Sequence, residues 1–312
     1  MFTTRKQLRP LNNADREWPL AIKSRVGESH AAGRVIRMNS TYLEMVDGFY
    51  SNRGMMSSAG IFGIVAISLT LGFFLYVVVF RCYLDPDWNR QDEVEMLLAF
   101  GSITLVGSLF ILGIFKFYLH IGEWFRYTHY PMRFNRQNRM VYVFRGDDTV
   151  LEASWDDLYF NLAPHTRIAG VRIWAICGLV LKDEQTVEEL FGFGYVSDSR
   201  DHCLHHWEFV RRYMEEGPQA VIGAPGFTFC LPIADKRETL YQGWIALVAE
   251  DASNPILKWL MFPIHVTSFL GRLIHRATSK VPLWPADVEA ACRIAPDDPY
   301  VRDSSTDPVG YR

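Results

Sequence analysis

Two uninterrupted apolar runs interrupt a chain whose hydrophobic positions otherwise alternate or recur at helical spacing. Gly54 to Phe80 contains no charged residue, and its core, IFGIVAISLTLGFFLYVVVF, extends from Ile61 to Phe80. Met96 to Phe115 is a second charge-free run, bounded by Glu95 and Lys116. A bilayer core about 30 Å thick is crossed by about 20 apolar residues at helical rise, and a helix apolar on every face has no wet side to offer a soluble fold. The pattern predicts a transmembrane hairpin over 54–116, with spans at about 58–80 and 96–115.

Elsewhere the patterning is that of a water-soluble domain. Residues 1–53 are polar and mixed, with one amphipathic segment from Tyr42 to Tyr50, and are expected to form an arm packed on the later domain. Pro131 to Arg145, PMRFNRQNRMVYVFR, alternates on both sides of the polar tetrad Arg136 to Arg139, which is a hairpin signal. Thr149 to Ala153, Trp155 to Leu158, Val171 to Leu181 and Thr186 to Tyr195 continue as short strands. A helix is predicted from Arg200 to Glu216, with Ser199 or Asp198 as N-cap and Gly217-Pro218 as the stop. Cys203, Trp207, Val210 and Met214 form its apolar stripe, widened by Phe209 and Tyr213. Glu208 with Arg212, and Arg211 with Glu215, are expected as ion pairs on its wet side.

The last third reads as helical, with elements at Asp235 to Asp251 and Ile256 to Ile274. The second is apolar but interrupted by Lys258, Pro263, His265 and Arg272, so it is expected on the membrane surface or in the domain core and not as a third span. The expected fold class is membrane α+β: a two-helix transmembrane hairpin plus a cytoplasmic antiparallel-sheet domain with C-terminal helices. Its divisions are an arm at 1–53, the hairpin at 54–116, sheet and closing helix at 117–217, a helical region at 218–295 and a flexible tail at 296–312. Over Tyr130 to Gly217 the order of elements resembles a pleckstrin-homology-like barrel.

Charge orients the hairpin. The connecting segment Arg81 to Glu95 holds Asp85, Asp87, Asp92, Glu93 and Glu95 against Arg81 and Arg90. Arg34, Arg37 and Arg53 precede the first span, and Lys116, Arg126, Arg133, Arg136 and Arg139 follow the second. By the positive-inside rule both termini are expected in the cytoplasm. No apolar stretch with a small-residue cleavage site opens the chain, so no signal peptide is expected. Ala59 and Gly63, Ser68 and Gly72, and Gly101, Gly107 and Gly113 provide small-residue spacing that mates the two spans with each other or with a partner's helix, which leaves room for a homo-oligomer.

Composition narrows the chemistry. A net charge of −3 over 312 residues gives no basic excess for nucleic acid. Cys82, Cys177, Cys203, Cys230 and Cys292 contain no CxxC pair and suit a reducing compartment. His202 and His206, one helical turn apart, do not complete a metal site, and Cys203 beside them belongs to the buried stripe. Both histidines are expected at the surface. Gly192-Phe193-Gly194 and Gly223-Ala224-Pro225-Gly226 lack the context of a phosphate-binding loop. Neither span carries an ionisable residue, which disfavours a transporter or channel. No catalytic, cofactor-binding or metal-binding residue is assigned, no cofactor is expected, and the expectation is a non-enzymatic binding protein. Arg133, Arg136 and Arg139, soon after the second span, are the candidate contacts for anionic lipid or a partner.

The blocks YPMRFNRQNRMVYVFR, Tyr130 to Arg145, and HHWEFVRRYMEEGP, His205 to Pro218, resemble those of an uncharacterised proteobacterial membrane-protein family of unknown function, often encoded near type VI secretion effectors. The resemblance covers nearly the whole chain, including two early spans. It implies an immunity or accessory factor whose partner is a secreted effector or toxin. The alternative is a membrane-tethered structural adaptor that binds lipid or a cytoplasmic partner.

Overall fold

The N-terminal segment, where an arm is expected, contributes four strands and a short helix to the sheets' unit. The computed structural model describes residues 4–84, 90–120, 124–168, 171–248 and 255–307. In chain order the elements are β1 (Thr4–Pro10), α1 (Asn13–Glu17), β2 (Pro19–Leu20), β3 (Val35–Met38), β4 (Tyr42–Met45), α2 (Met55–Leu84), α3 (Arg90–His120), β5 (Met132–Asn135), β6 (Met140–Phe144), β7 (Val150–Ser154), β8 (Tyr159–Ile168), β9 (Val171–Asp183), β10 (Thr186–Ser197), α4 (Arg200–Glu216), α5 (Leu240–Val248), α6 (Pro255–Thr278) and α7 (Ala286–Ala291). They divide into two units. The first comprises Met1–Ser51, Tyr127–Thr239 and Lys280–Arg312, and the second Asn52–Arg126 and Leu240–Ser279.

The first unit holds two antiparallel five-stranded sheets, ordered β1-β10-β9-β8-β2 and β3-β4-β5-β6-β7. β1 and β2 join the first sheet through β10 and β8, while β3 and β4 continue the second through β5. β4 and β5 are therefore neighbours in space with residues 46–131 between them in the chain. Alternation sends Leu43, Met45, Met132, Phe134, Val141 and Val143 into one core shared with the other sheet and with α4. There Trp155 stacks on Trp207 at a centroid distance of 5.6 Å, and Phe160 lies 4.7 Å from Trp207.

α4 keeps the predicted limits. Ser199 caps it by accepting from the His202 N–H, and Gly217 ends it at φ +95°, a left-handed value that favours glycine. The other face of the β3–β7 sheet is covered as well, by the C-terminal segment. Trp284, Val288 and Cys292 pack on Tyr42 and Tyr142. The tail expected to be flexible is tied down as far as residue 307. Met38 pairs with Arg302, Ser40 donates to Asp298 through N–H and hydroxyl, and the Cys230 N–H donates to Asp307. The carboxylates of Asp298 and Asp307 accept from backbone N–H groups of the sheet domain and thereby compensate for the scarcity of apolar groups.

The second unit consists of α2, α3, α5 and α6. Among the described residues, α2 and α3 contain the two stretches, Met55–Phe80 and Glu93–His120, that are long and apolar enough to cross a membrane, and almost none of their side chains is buried. Both helices extend beyond the predicted spans into the connecting segment, of which 85–89, with Asp85 and Asp87, lies outside the described residues. Part of the glycine spacing joins the two helices. A methyl on Gly63 would press on Ile114 and one on Gly107 on Leu71, and one on Gly60, outside the predicted spacing, would collide with the Tyr118 ring. Gly72, Gly101 and Gly113 face open space. α5 starts later than predicted, at Leu240, and α6 runs through Pro263 without ending.

Candidate functional site

The arginine hairpin forms as predicted, but its three arginines have different environments. In β5 the alternation that points Met132 and Phe134 into the core points Arg133 and Asn135 the other way. Register places Glu44 directly opposite Arg133. The guanidinium is fully buried, donating to Glu44 at 3.3 Å and to Glu289 at 2.8 Å. It is stacked between the Tyr42 and Trp284 rings, with centroids at 4.6 and 4.7 Å. Trp284 Nε1 also donates to Glu44, at 2.8 Å. Burial pulls the arginine's pKa down, but the Glu44 charge and the Glu289 hydrogen bond outweigh it and hold the group firmly protonated. Arg133 thus faces the interior of the first unit.

Arg136 and Arg139 lie in the connecting turn, where the Asn135 side chain accepts from the Gln137 and Asn138 N–H groups. Arg139 adopts φ +55°. It is one-third exposed and pairs with Asp156 and with Glu215, the latter at 2.8 Å. Arg136 is half-buried, and its Nε has no hydrogen-bond partner.

A second ionic cluster lies along α4. Glu208 and Arg211 are expected on a wet side yet are buried, at 0% and 2% exposure. Glu208 accepts from Arg211 at 2.8 Å and, as predicted, from Arg212 at 2.6 Å; it also accepts from the Val26 N–H at 3.1 Å. Burial raises its pKa, and the two arginines with the amide bring it below the usual carboxylate range. Arg211 turns to Glu216, which also holds Arg25, and not to Glu215, which is engaged by Arg139 and by Trp155 Nε1. Residues 25–27 cover what would otherwise be the exposed face of the helix.

The histidines also part company. His202 is exposed, whereas His206 is wholly buried, contrary to expectation. The helical period carries position 206 toward the same side as Cys203, against Tyr195 and Phe193. His206 Nδ1 lies 3.3 Å from the His30 carbonyl, which can only accept, so the proton is on Nδ1. Nε2 is left buried without a partner. Burial, and next the Arg34 charge, push the His206 pKa down to about 3. Among the described residues no group of three histidine, cysteine or acidic side chains is placed to hold a metal. Cys203, Cys230 and Cys292 are buried, and burial raises the Cys203 thiol to about 12.

Within the first unit, the four points where the chain leaves for or returns from the helical unit are tied together. Asp47 accepts from the Tyr130 N–H at 2.9 Å, joining the segment after β4 to the one before β5. The Thr128 N–H donates to the Lys280 carbonyl at 2.8 Å, and the Tyr50 hydroxyl to Glu238 at 2.7 Å. Sequence reading missed Glu44, Asp47, Trp284 and Glu289. Strand alternation could have flagged Glu44, on the polar side of β4, but nothing local signals the others.

These features define a class: an antiparallel two-sheet domain interrupted, between two adjacent strands, by a helical segment with two apolar helices of membrane-spanning length. The chain belongs to the family of unknown function DUF6708, which matches residues 109–296. No curated protein and no solved structure matches it.

Proposed function

We propose that this chain is a non-enzymatic binding protein anchored in the bacterial inner membrane by α2 and α3, with both termini cytoplasmic, and that it serves as an immunity or accessory factor to a type VI secretion effector. The observation that carries the membrane part is the exposure of the two apolar helices within their own unit, with Leu69 at 69% and Phe110 at 64%. Side chains of this kind, left in water, forfeit about 25 cal/mol for each Å² of apolar surface that a lipid environment would cover. The effector part is supported by the resemblance of Tyr130 to Arg145 and His205 to Pro218 to a family encoded near such effectors. Protection would act by occlusion, the rigid sheet domain holding its partner at the membrane.

The test is expression of the protein in cells poisoned by the effector encoded beside it. Growth should recover, and should still recover with His202→Ala. Absence of recovery from the intact, membrane-localised protein sinks the immunity reading. A reporter fused after Lys116 should be cytoplasmic, and periplasmic activity there would reverse the orientation. A second reading, a membrane-tethered adaptor for lipid or a cytoplasmic partner, is favoured by one observation. The succession β3 to β7, β8 to β10 and then α4 follows the meander, meander, helix order of a pleckstrin-homology-like barrel. Phosphoinositide or phosphatidylglycerol vesicles that retain the protein through its sheet domain, with no rescue of poisoned cells, would favour that reading.

A further inference from the structure

Helix α6 carries an apolar face that no described residue of its own unit covers. Its second half is seated: Ser268, Gly271, Arg272 and His275 are buried. A methyl on Gly271 would collide with the Gly54 carbonyl, so α6 crosses the first turn of α2 at backbone contact. The Arg272 guanidinium donates to the Arg53 carbonyl at 3.3 Å, and Trp244 of α5 packs between Phe262 and Phe269 at 6.1 and 5.6 Å. On the other side Ile256, Trp259, Leu260, Leu270 and Ile274 recur at helical spacing and stay exposed, Ile256 at 80% and Trp259 at 78%. Leu240 and Tyr241 of α5 are exposed as well. A continuous apolar surface of this extent marks a contact with lipid or protein.

Two observations identify the occupant. The first is continuity: α6 is fixed to the root of α2, at the turn where the apolar run of spanning length begins. That places α6 at the level where such a helix enters the bilayer. The second is charge. Lys258, Arg272 and Arg276 interrupt its sequence, with Arg272 turned inward, and it contains no carboxylate, so no negative charge along it repels anionic headgroups. The same breaks, with Pro263 and His265, keep it from being a crossing element, and among the described residues only α2 and α3 have spanning composition.

We propose that α5 and α6 form an interfacial element, with the exposed face of α6 lying in the membrane plane about 5–10 Å into the headgroup and acyl boundary. This rests on the membrane reading of α2 and α3, and the experiment separates the two. Spin labels are placed at Leu260→Cys on α6, Leu105→Cys on α3 and Leu8→Cys on β1, each in full-length protein carrying Cys82→Ser. The protein is reconstituted in vesicles of phosphatidylethanolamine and phosphatidylglycerol. Oxygen accessibility reports lipid, and a water-soluble nickel complex reports solvent. The Leu260 label should give an oxygen-to-nickel ratio several-fold above that at Leu8 and below that at Leu105. A Leu260 label as wet as Leu8, with Leu105 in lipid, overturns the proposal and leaves the membrane reading intact. Low access to both reagents at Leu260 means a protein cover, such as a second copy, and also overturns it. A Leu260 label as deep as Leu105 makes α6 a third crossing instead. If Leu105 itself is wet, the membrane reading fails and the proposal fails with it.

Discussion

Arg133 and His206 are both buried polar groups, but one is paired with two carboxylates and the other is kept neutral. Removing the Arg133 cation would leave Glu44, which is 1% exposed, with only Arg37 at 3.8 Å and the Trp284 N–H to offset its charge. Breaking a buried pair in this way typically costs about 3–5 kcal/mol. Arg133→Leu should therefore lower the unfolding midpoint of the detergent-solubilised protein far more than Arg139→Ala, whose partly exposed pairs are worth about 1 kcal/mol or less each. Equal effects would show that the cluster does not stabilise the sheet. His206 acts through pH. Its folded pKa is depressed from 6.5 to about 3, so the neutral ring imposes no penalty above pH 6.5. As pH falls below that, the unfolded chain takes up a proton that the folded chain refuses. Stability should then fall by up to about 1.4 kcal/mol per pH unit until pH approaches the folded pKa. His206→Asn keeps a donor for the His30 carbonyl and should remove this slope, measured as the difference between melting curves of the two proteins from pH 7 to pH 4.

Among the elements, α4 was the most legible in the sequence, because its cap, its stop and its apolar stripe are all local. Trp207 on that stripe is fully buried and stacked on Trp155. Trp207→Ala should cost about 3–5 kcal/mol, read as a lowered denaturation midpoint; a wild-type midpoint would contradict its place in the core. The hairpin of β5 and β6 and the two apolar helices were also legible, from alternation and from uninterrupted runs. β3 and β4 were not, since each is four residues long and their sheet neighbour, β5, lies beyond residues 46–131. The wet face assigned to Glu208 and Arg211 failed for a related reason: a polar helix face reads as solvated until a distant segment, here residues 25–27, is known to cover it. The candidate contact at Arg133 met the same limit, because alternation gives its side of the strand but not the Trp284 and Glu289 that cover it.

For the molecule as a whole, stability depends on both ends of the chain. Truncation after Ala295 would remove Asp298, Arg302 and Asp307 from their backbone partners, so limited proteolysis of the shortened protein should cut near β3 and Cys230 well before it cuts the intact chain. Unchanged protection would make these contacts incidental. The split between β4 and β5 has a further consequence during synthesis. The ribosome releases β3 and β4 before residues 46–131, and at about 5–20 residues per second they wait on the order of ten seconds for β5, while β1 waits longer for β10. Through that interval their edges are unpaired and available to chaperones or to neighbouring nascent chains. Residues 280–307, which include the cover over Tyr42 and Tyr142, emerge after all ten strands. A chain that stops before Lys280 therefore leaves an aromatic sheet face uncovered, a surface that quality-control proteases can recognise.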